Sequence, residues 1–234
     1  MSDSENEIDY VVEAKKEDEE RRHLYAVASQ STYMRNKVDR LKHMAQEGLE
    51  DWFLDDELSN KEHTVFVKGD KVIFAGRGTD ISNKQGGRLG DLWADTLLSF
   101  GLEKLSGRYR RAKKGLEKTM KKHKGKEVVL TGHSLSGRLA IELGKKFNLE
   151  THAFNAGSTH IHAKRSLHEK VLSSVTGKKH RNKIHNYVVV GDTISNSSLF
   201  DLSMKNVIVK PNKRVKRRGP MYWHSIEHFY KNKE

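Results

Sequence analysis

The chain has 234 residues, 35% of them hydrophobic, with 2 prolines, no cysteine and a formal net charge of +13. That length allows one sizeable core, and the lack of cysteine excludes disulfide bridges, thiolate metal sites and a catalytic thiol. No apolar run approaches the length of a membrane-spanning helix and the acidic N-terminus does not resemble a secretory signal, so an intracellular or particle-associated setting is expected, a virus for one.

Charge is unevenly spread. Residues 1–20 carry nine acidic and two basic side chains, a net −7, which leaves +13 − (−7) = +20 on the rest. We read 1–20 as an acidic arm, mobile or the frayed start of a helix, and 21–234 as one domain. The basic body attracts anionic surfaces of any kind, phospholipid and nucleic acid alike.

Leu24, Val27, Ala28, Met34, Val38, Leu41 and Met44 recur at helical spacing, with a wider gap around Ser31, and predict a helix packed across a sheet. Val65–Lys68 and Lys71–Ala75 flank Gly69-Asp70 and predict a hairpin. Gly76-Arg77-Gly78-Thr79 ends its second strand. Over 80–97, Leu89, Leu92, Trp93, Thr96 and Leu97 give a modest apolar stripe behind the Gly86-Gly87 pair, which fits either a hinged cover or a plain loop and core-facing helix. Leu105, Tyr109, Ala112, Leu116 and Met120 mark a long helix with a basic outer face, ending near Gly125.

Glu127–Thr131 is an apolar strand. Gly132-His133-Ser134-Leu135-Ser136-Gly137 follows it, and a helix begins directly after. A serine at the tip of such a strand-to-helix turn projects its hydroxyl beside helix N-terminal amides, as a nucleophile for acyl transfer requires. Further strands are predicted at His152–Phe154, Ile184–Val190 and Val207–Val209, with a basic, Ser/His-rich stretch over 157–183. Together these give an α/β fold, a mostly parallel sheet flanked by helices.

A serine nucleophile needs a base and an acid that orients it. In α/β-hydrolases these follow the serine along the chain, acid before base. The aspartates beyond Ser134 are Asp192 and Asp201, and the histidines beyond both are His224 and His228. Asp192 follows an apolar strand and a glycine, at the carboxyl edge where sites form, and ranks above Asp201. His224 opens a terminal helix after a long loop and ranks above His228, one helical turn on and expected at the surface.

These residues resemble the class 3 lipase family, the α/β-hydrolases that include secreted fungal triacylglycerol lipases. Gly132-His133-Ser134-Leu135 is similar to the family's elbow, Arg77-Gly78-Thr79 to its oxyanion segment, and Asp91-Leu92-Trp93-Ala94-Asp95 to the helix after that segment. The resemblance implies Ser134 as nucleophile, Asp192 and His224 as its partners, the amides of Thr79 and Leu135 as oxyanion donors, and 80–97 as a lid. It implies ester cleavage on lipids without metal or organic cofactor. Two departures stand out: Ser136 replaces the second elbow glycine, and Gly76 stands where the family carries an aromatic residue before Arg-Gly-Thr.

His160 and His162 read as loop surface rather than metal ligands. Lys205, Lys210, Lys213, Arg214, Lys216, Arg217 and Arg218 precede His224, with no acidic residue between Leu202 and Ile226, and suit contact with anionic phospholipid surfaces. The competing expectation is a catalytically degenerate module that binds nucleic acid or other anionic partners through the same surface. Against it, such a module has no use for the ordered serine, aspartate, histidine and oxyanion segment.

Overall fold

The computed structural model describes residues 3–78, 102–156, 183–192, 204–213, 215 and 222–231, with side chains from residue 15 onward and, over 102–122, from residue 107. Helix α1 spans Asp3–Ser31 and α2 spans Lys37–Gln46, so the apolar period predicted as one helix is carried by two. The break has a local cause. Ser31 Oγ donates to the carbonyl of Val27 at 2.8 Å and Thr32 Oγ1 to that of Ser29 at 2.7 Å, while Asn36 caps α2 by accepting from the Asp39 amide at 3.0 Å. Side chains that bond the backbone in this way compete with helix continuation. In consequence Met44 is buried but Val38 faces solvent at 71% exposure, against its expected place in the core.

Among the described residues seven strands follow: β1 Phe53–Leu54, β2 His63–Lys68, β3 Lys71–Gly76, β4 Glu127–His133, β5 Thr151–Phe154, β6 Ile184–Val189 and β7 Lys205–Val209. They form one sheet whose order is the order of the chain. The pairs β1·β2 and β2·β3 are antiparallel, the latter as the expected hairpin, and every pair from β3 to β7 is parallel. Helix α3 (Leu102–Lys122) connects β3 to β4, and α4 (Leu135–Phe147) connects β4 to β5.

Alternation along the strands buries apolar residues on both faces, in three clusters among the described residues, one of them made of Ile141, Ala153, Ala156, Ile184 and Met204. Ile73, Ala75 and Val129 face Tyr25–Ala28 of α1, in a core that also takes in Phe154, Tyr187, Val189 and Phe229. Val72, Phe74, Val128 and Leu130 face the other way, onto Leu116 of α3 and Ala140 and Leu143 of α4. With helices over both faces the central strands are apolar on both sides, as parallel sheets require. Burying a side chain such as Phe74 or Leu130 stabilises the fold by about 1.5–3 kcal/mol. Arg110, Arg111, Lys114, Glu117, Lys118, Lys121 and Lys122 are exposed on α3, a mostly basic outer face. After β7 two short 3-10 helices, Tyr222–His224 and Ile226–Phe229, stand where one terminal helix was expected. The mostly parallel sheet flanked by helices is an α/β-hydrolase-like architecture.

Candidate active site

Parallel strands end on a common edge, and β4, β5 and β6 deliver Ser134, Asn155 and Asp192 to it. Ser134 has φ 58° and ψ −125°, a backbone conformation that side-chain-bearing residues resist, and it is held there from both sides. Its amide donates to the carbonyl of Phe154 at 2.9 Å, and its own carbonyl accepts from the Arg138 amide at 3.2 Å. Gly132 makes the tight turn feasible, because a Cβ there would lie 2.5 Å from the Ser136 carbonyl oxygen.

The two departures from the lipase pattern meet at one contact. Ser136 is buried in the first turn of α4, where its hydroxyl donates toward the carbonyl oxygens of Gly76 and His133, both at 2.9 Å, and accepts from the His133 amide at 3.1 Å. A Cβ on Gly76 would stand 3.0 Å from the Cβ of Ser136. The missing aromatic at 76 therefore leaves the space that the extra side chain at 136 uses.

Asp192 and His224 come together. His224 Nδ1 donates to Asp192 Oδ2 at 2.9 Å, with the residues 4% and 2% exposed respectively. Three neighbouring strand ends hold the segment that carries the imidazole. At the end of β4, His133 Nε2 donates to the carbonyl of His224 at 2.8 Å, and its Nδ1 accepts from the Tyr33 hydroxyl at 3.3 Å. After β5, Asn155 Nδ2 donates to the carbonyl of Trp223 at 3.2 Å, while its Oδ1 accepts from the Val189 amide at 3.0 Å. After β6, the Trp223 ring lies on Gly191, whose φ is 97° and whose Cβ, if it had one, would stand 3.1 Å from the indole. Burial, with the His224 imidazole beside it, pushes His133 down to about 3, so its ring is neutral and bonds in one tautomer.

His228 is buried rather than at the surface. Its Nδ1 accepts from the Asn212 amide at 3.0 Å and its Nε2 donates to the carbonyl of Tyr222 at 2.7 Å. Both ring nitrogens are thus committed to main chain. Burial also lowers its pKa. Ser134 is buried too, and among the described residues its hydroxyl makes no hydrogen bond. The ring of its chain neighbour His133 lies with its centroid 4.8 Å from that of His224.

Beside the elbow, the Arg77 amide donates to the Glu62 carbonyl at 2.8 Å, Arg108 Nη2 donates to the Arg77 carbonyl at 2.5 Å, and the Arg77 guanidinium lies 5.6 Å from the Tyr33 ring. Leu135 is the first residue of α4. Thr79, the stripe residues Leu89, Leu92 and Trp93, Asp201, His160 and His162 lie outside the described residues, as do Arg214 and 216–221. Lys205, Lys210 and Lys213 are exposed. Among the described residues no group of three or more His, Cys, Asp and Glu side chains is gathered as metal ligands would be, and no helix is long and apolar enough to cross a membrane.

Sequence reasoning missed Tyr33, His133, Asn155 and Gly191. Only position marks them: Asn155 directly follows β5, Gly191 lies two residues beyond β6, His133 is the last residue of β4, and Tyr33 lies two residues beyond α1.

No curated protein matches the chain. A family model does, described as phospholipase-like, a Tle-like phospholipase domain, over residues 23–215. That stretch takes in Ser134 and Asp192 and stops short of His224. It supports lipid hydrolysis and a lipase or phospholipase kinship, but not the fungal class 3 lipases in particular. By a match over most of its length, on a sheet of the fitting architecture, the chain belongs to the Tle-like phospholipase domain family.

Proposed function

We propose that the protein cleaves carboxylic esters of phospholipids through an acyl-enzyme on Ser134, with His224 as general base and acid and Asp192 as the carboxylate that orients it. One observation carries this: a buried His224–Asp192 bond of 2.9 Å on the same sheet edge as a serine in a strained elbow. Because Nδ1 donates to Asp192, Nε2 is left with its lone pair, ready to take the serine proton. Ser134 Oγ then bonds the ester carbonyl carbon. The tetrahedral intermediate collapses as His224 returns the proton to the leaving alcohol, and water, activated by the same imidazole, releases the acid. Amides of Leu135 and Thr79 serve as oxyanion donors in this scheme, as the class 3 lipase resemblance implies.

Ser134, Asp192 and His224 are all buried, so an opening step belongs to the scheme, with 80–97 as our candidate cover. Residues 21–234 act as the hydrolase domain and 1–20 as an acidic arm. Lys205, Lys210 and Lys213 stand on the strand and loop beyond Asp192 and suit peripheral contact with anionic membranes.

The test is hydrolysis of p-nitrophenyl esters and of a short-chain phosphatidylcholine by the native chain, Ser134→Ala and Asp192→Asn. Loss of the nucleophile is expected to lower kcat at least about a thousandfold, and Asp192→Asn by a similar order. Activity unchanged in Ser134→Ala sinks the proposal.

A further inference from the structure

Residues 223 and 224 offer their carbonyl oxygens to two side chains from adjacent strand ends. His133 takes the carbonyl of His224 and Asn155 that of Trp223, at 2.8 and 3.2 Å. Neither donor is placed by chance. Asn155 is fully buried with φ 42°, and its amide oxygen is anchored by the Val189 amide at the end of β6, three residues before Asp192. The His133 donor is fixed by the Tyr33 hydroxyl on its other nitrogen, a bond that requires the neutral ring.

We propose that His133 and Asn155 are positioning residues, a two-point clamp that sets the depth and tilt of the His224 imidazole against Asp192 and Ser134. This rests on the serine reading above. Two consecutive carbonyls held at their oxygens allow the backbone of 223–224 little rotation, and the ring orientation follows that of its own backbone. The short 3-10 helix Tyr222–His224 has few hydrogen bonds of its own to do this. Because Asn155 also holds β6, the acid and the base are referred to a single side chain. A clamp that fails leaves all three proposed catalytic groups present but misaligned, and a shift of about 1 Å in such a group lowers the rate about a hundredfold.

The experiment compares the native chain with His133→Leu, His133→Gln and Asn155→Ala on a soluble p-nitrophenyl ester, counting functional sites by end-point labelling of the serine with a fluorophosphonate. Per labelled site, kcat is expected to fall about 10–100-fold in His133→Leu and Asn155→Ala with KM within about twofold, while the amide donor of His133→Gln restores it to within about threefold. A purely structural role would lower the number of labelled sites and the melting temperature, leaving kcat per site unchanged. That result in either His133→Leu or Asn155→Ala overturns the clamp. Should Asn155→Ala yield no labelled sites, the contrast between leucine and glutamine at 133 decides. Activity lost in Ser134→Ala but kept per site by the clamp variants defeats the clamp alone, whereas a native chain that is not labelled at Ser134 defeats both proposals.

Discussion

Ser136 and Gly76 show how two unusual residues become one compatible pair. Each alone departs from the lipase pattern, and in the structure the side chain at 136 occupies the space that glycine at 76 leaves. Gly76→Ala is therefore expected to lower stability by about 1–3 kcal/mol through overpacking. Adding Ser136→Gly should return part of that loss. A double-mutant cycle by urea denaturation, with a coupling of at least about 0.5 kcal/mol, checks it; strict additivity contradicts the shared-space account. Asp192 and His224 were legible because the order along the chain left few choices, and the structure brings that pair together. Asn155 was not legible. A lone asparagine after a short strand carries no spacing that distinguishes a clamp from a turn residue, since its partners Val189 and Trp223 lie 34 and 68 residues away.

Among the elements, strands read from their own alternation were found where expected, since β3, β4 and β6 need nothing beyond their apolar pattern to declare two buried faces. The break between α1 and α2 was less visible, because it depends on hydroxyl bonds to the backbone that a period of apolar residues does not register. Strands β5 and β6 also carry a buried stack of titratable rings. His152 and His185 pair across the strands with centroids 4.9 Å apart, Tyr25 stacks on His152 at 4.1 Å, and His152 bonds Glu150 at 2.8 Å. Burial, then the neighbouring His152 and Lys205, push His185 down to about 4, and burial lowers His152 although Glu150 opposes it. An unfolded histidine titrates near 6.5, so between that value and about 4 the unfolded chain binds more protons than the folded one. Stability is thus full above pH about 6.5 and falls with decreasing pH, by up to about 1.4 kcal/mol per pH unit for each such group. Urea midpoints at pH 7.5, 6 and 5 test this, and His185→Gln should flatten the slope. An equal slope in that variant contradicts the assignment.

For the whole molecule, the charge outside the acidic arm is +20, and Lys205, Lys210 and Lys213 are exposed close to Asp192 along the chain. Turnover of phospholipid in vesicles should rise with anionic lipid content at low salt and lose that dependence toward 0.5 M salt, where screening is short-ranged. Glutamate at 205, 210 and 213 should reduce the effect without altering hydrolysis of a soluble ester; equal rates on neutral and anionic vesicles at every salt concentration contradict it. The sheet's order along the chain has a consequence of another kind. Each strand pairs with the one before it in the chain, so no later strand has to insert between two that are already paired. The segment 222–231 is different: Arg22 bonds the carbonyl of Phe229, and the Lys231 amide bonds His23, contacts spanning 207 and 208 residues. The proposed base thus sits on a segment held by the most distant of the described hydrogen bonds. Because Ile226, Phe229 and Tyr230 of that segment are buried in the same core as Tyr25–Ala28 of α1, placement of the proposed base is tied to the packing of the sheet itself, and a substitution that loosens this core is felt at the site.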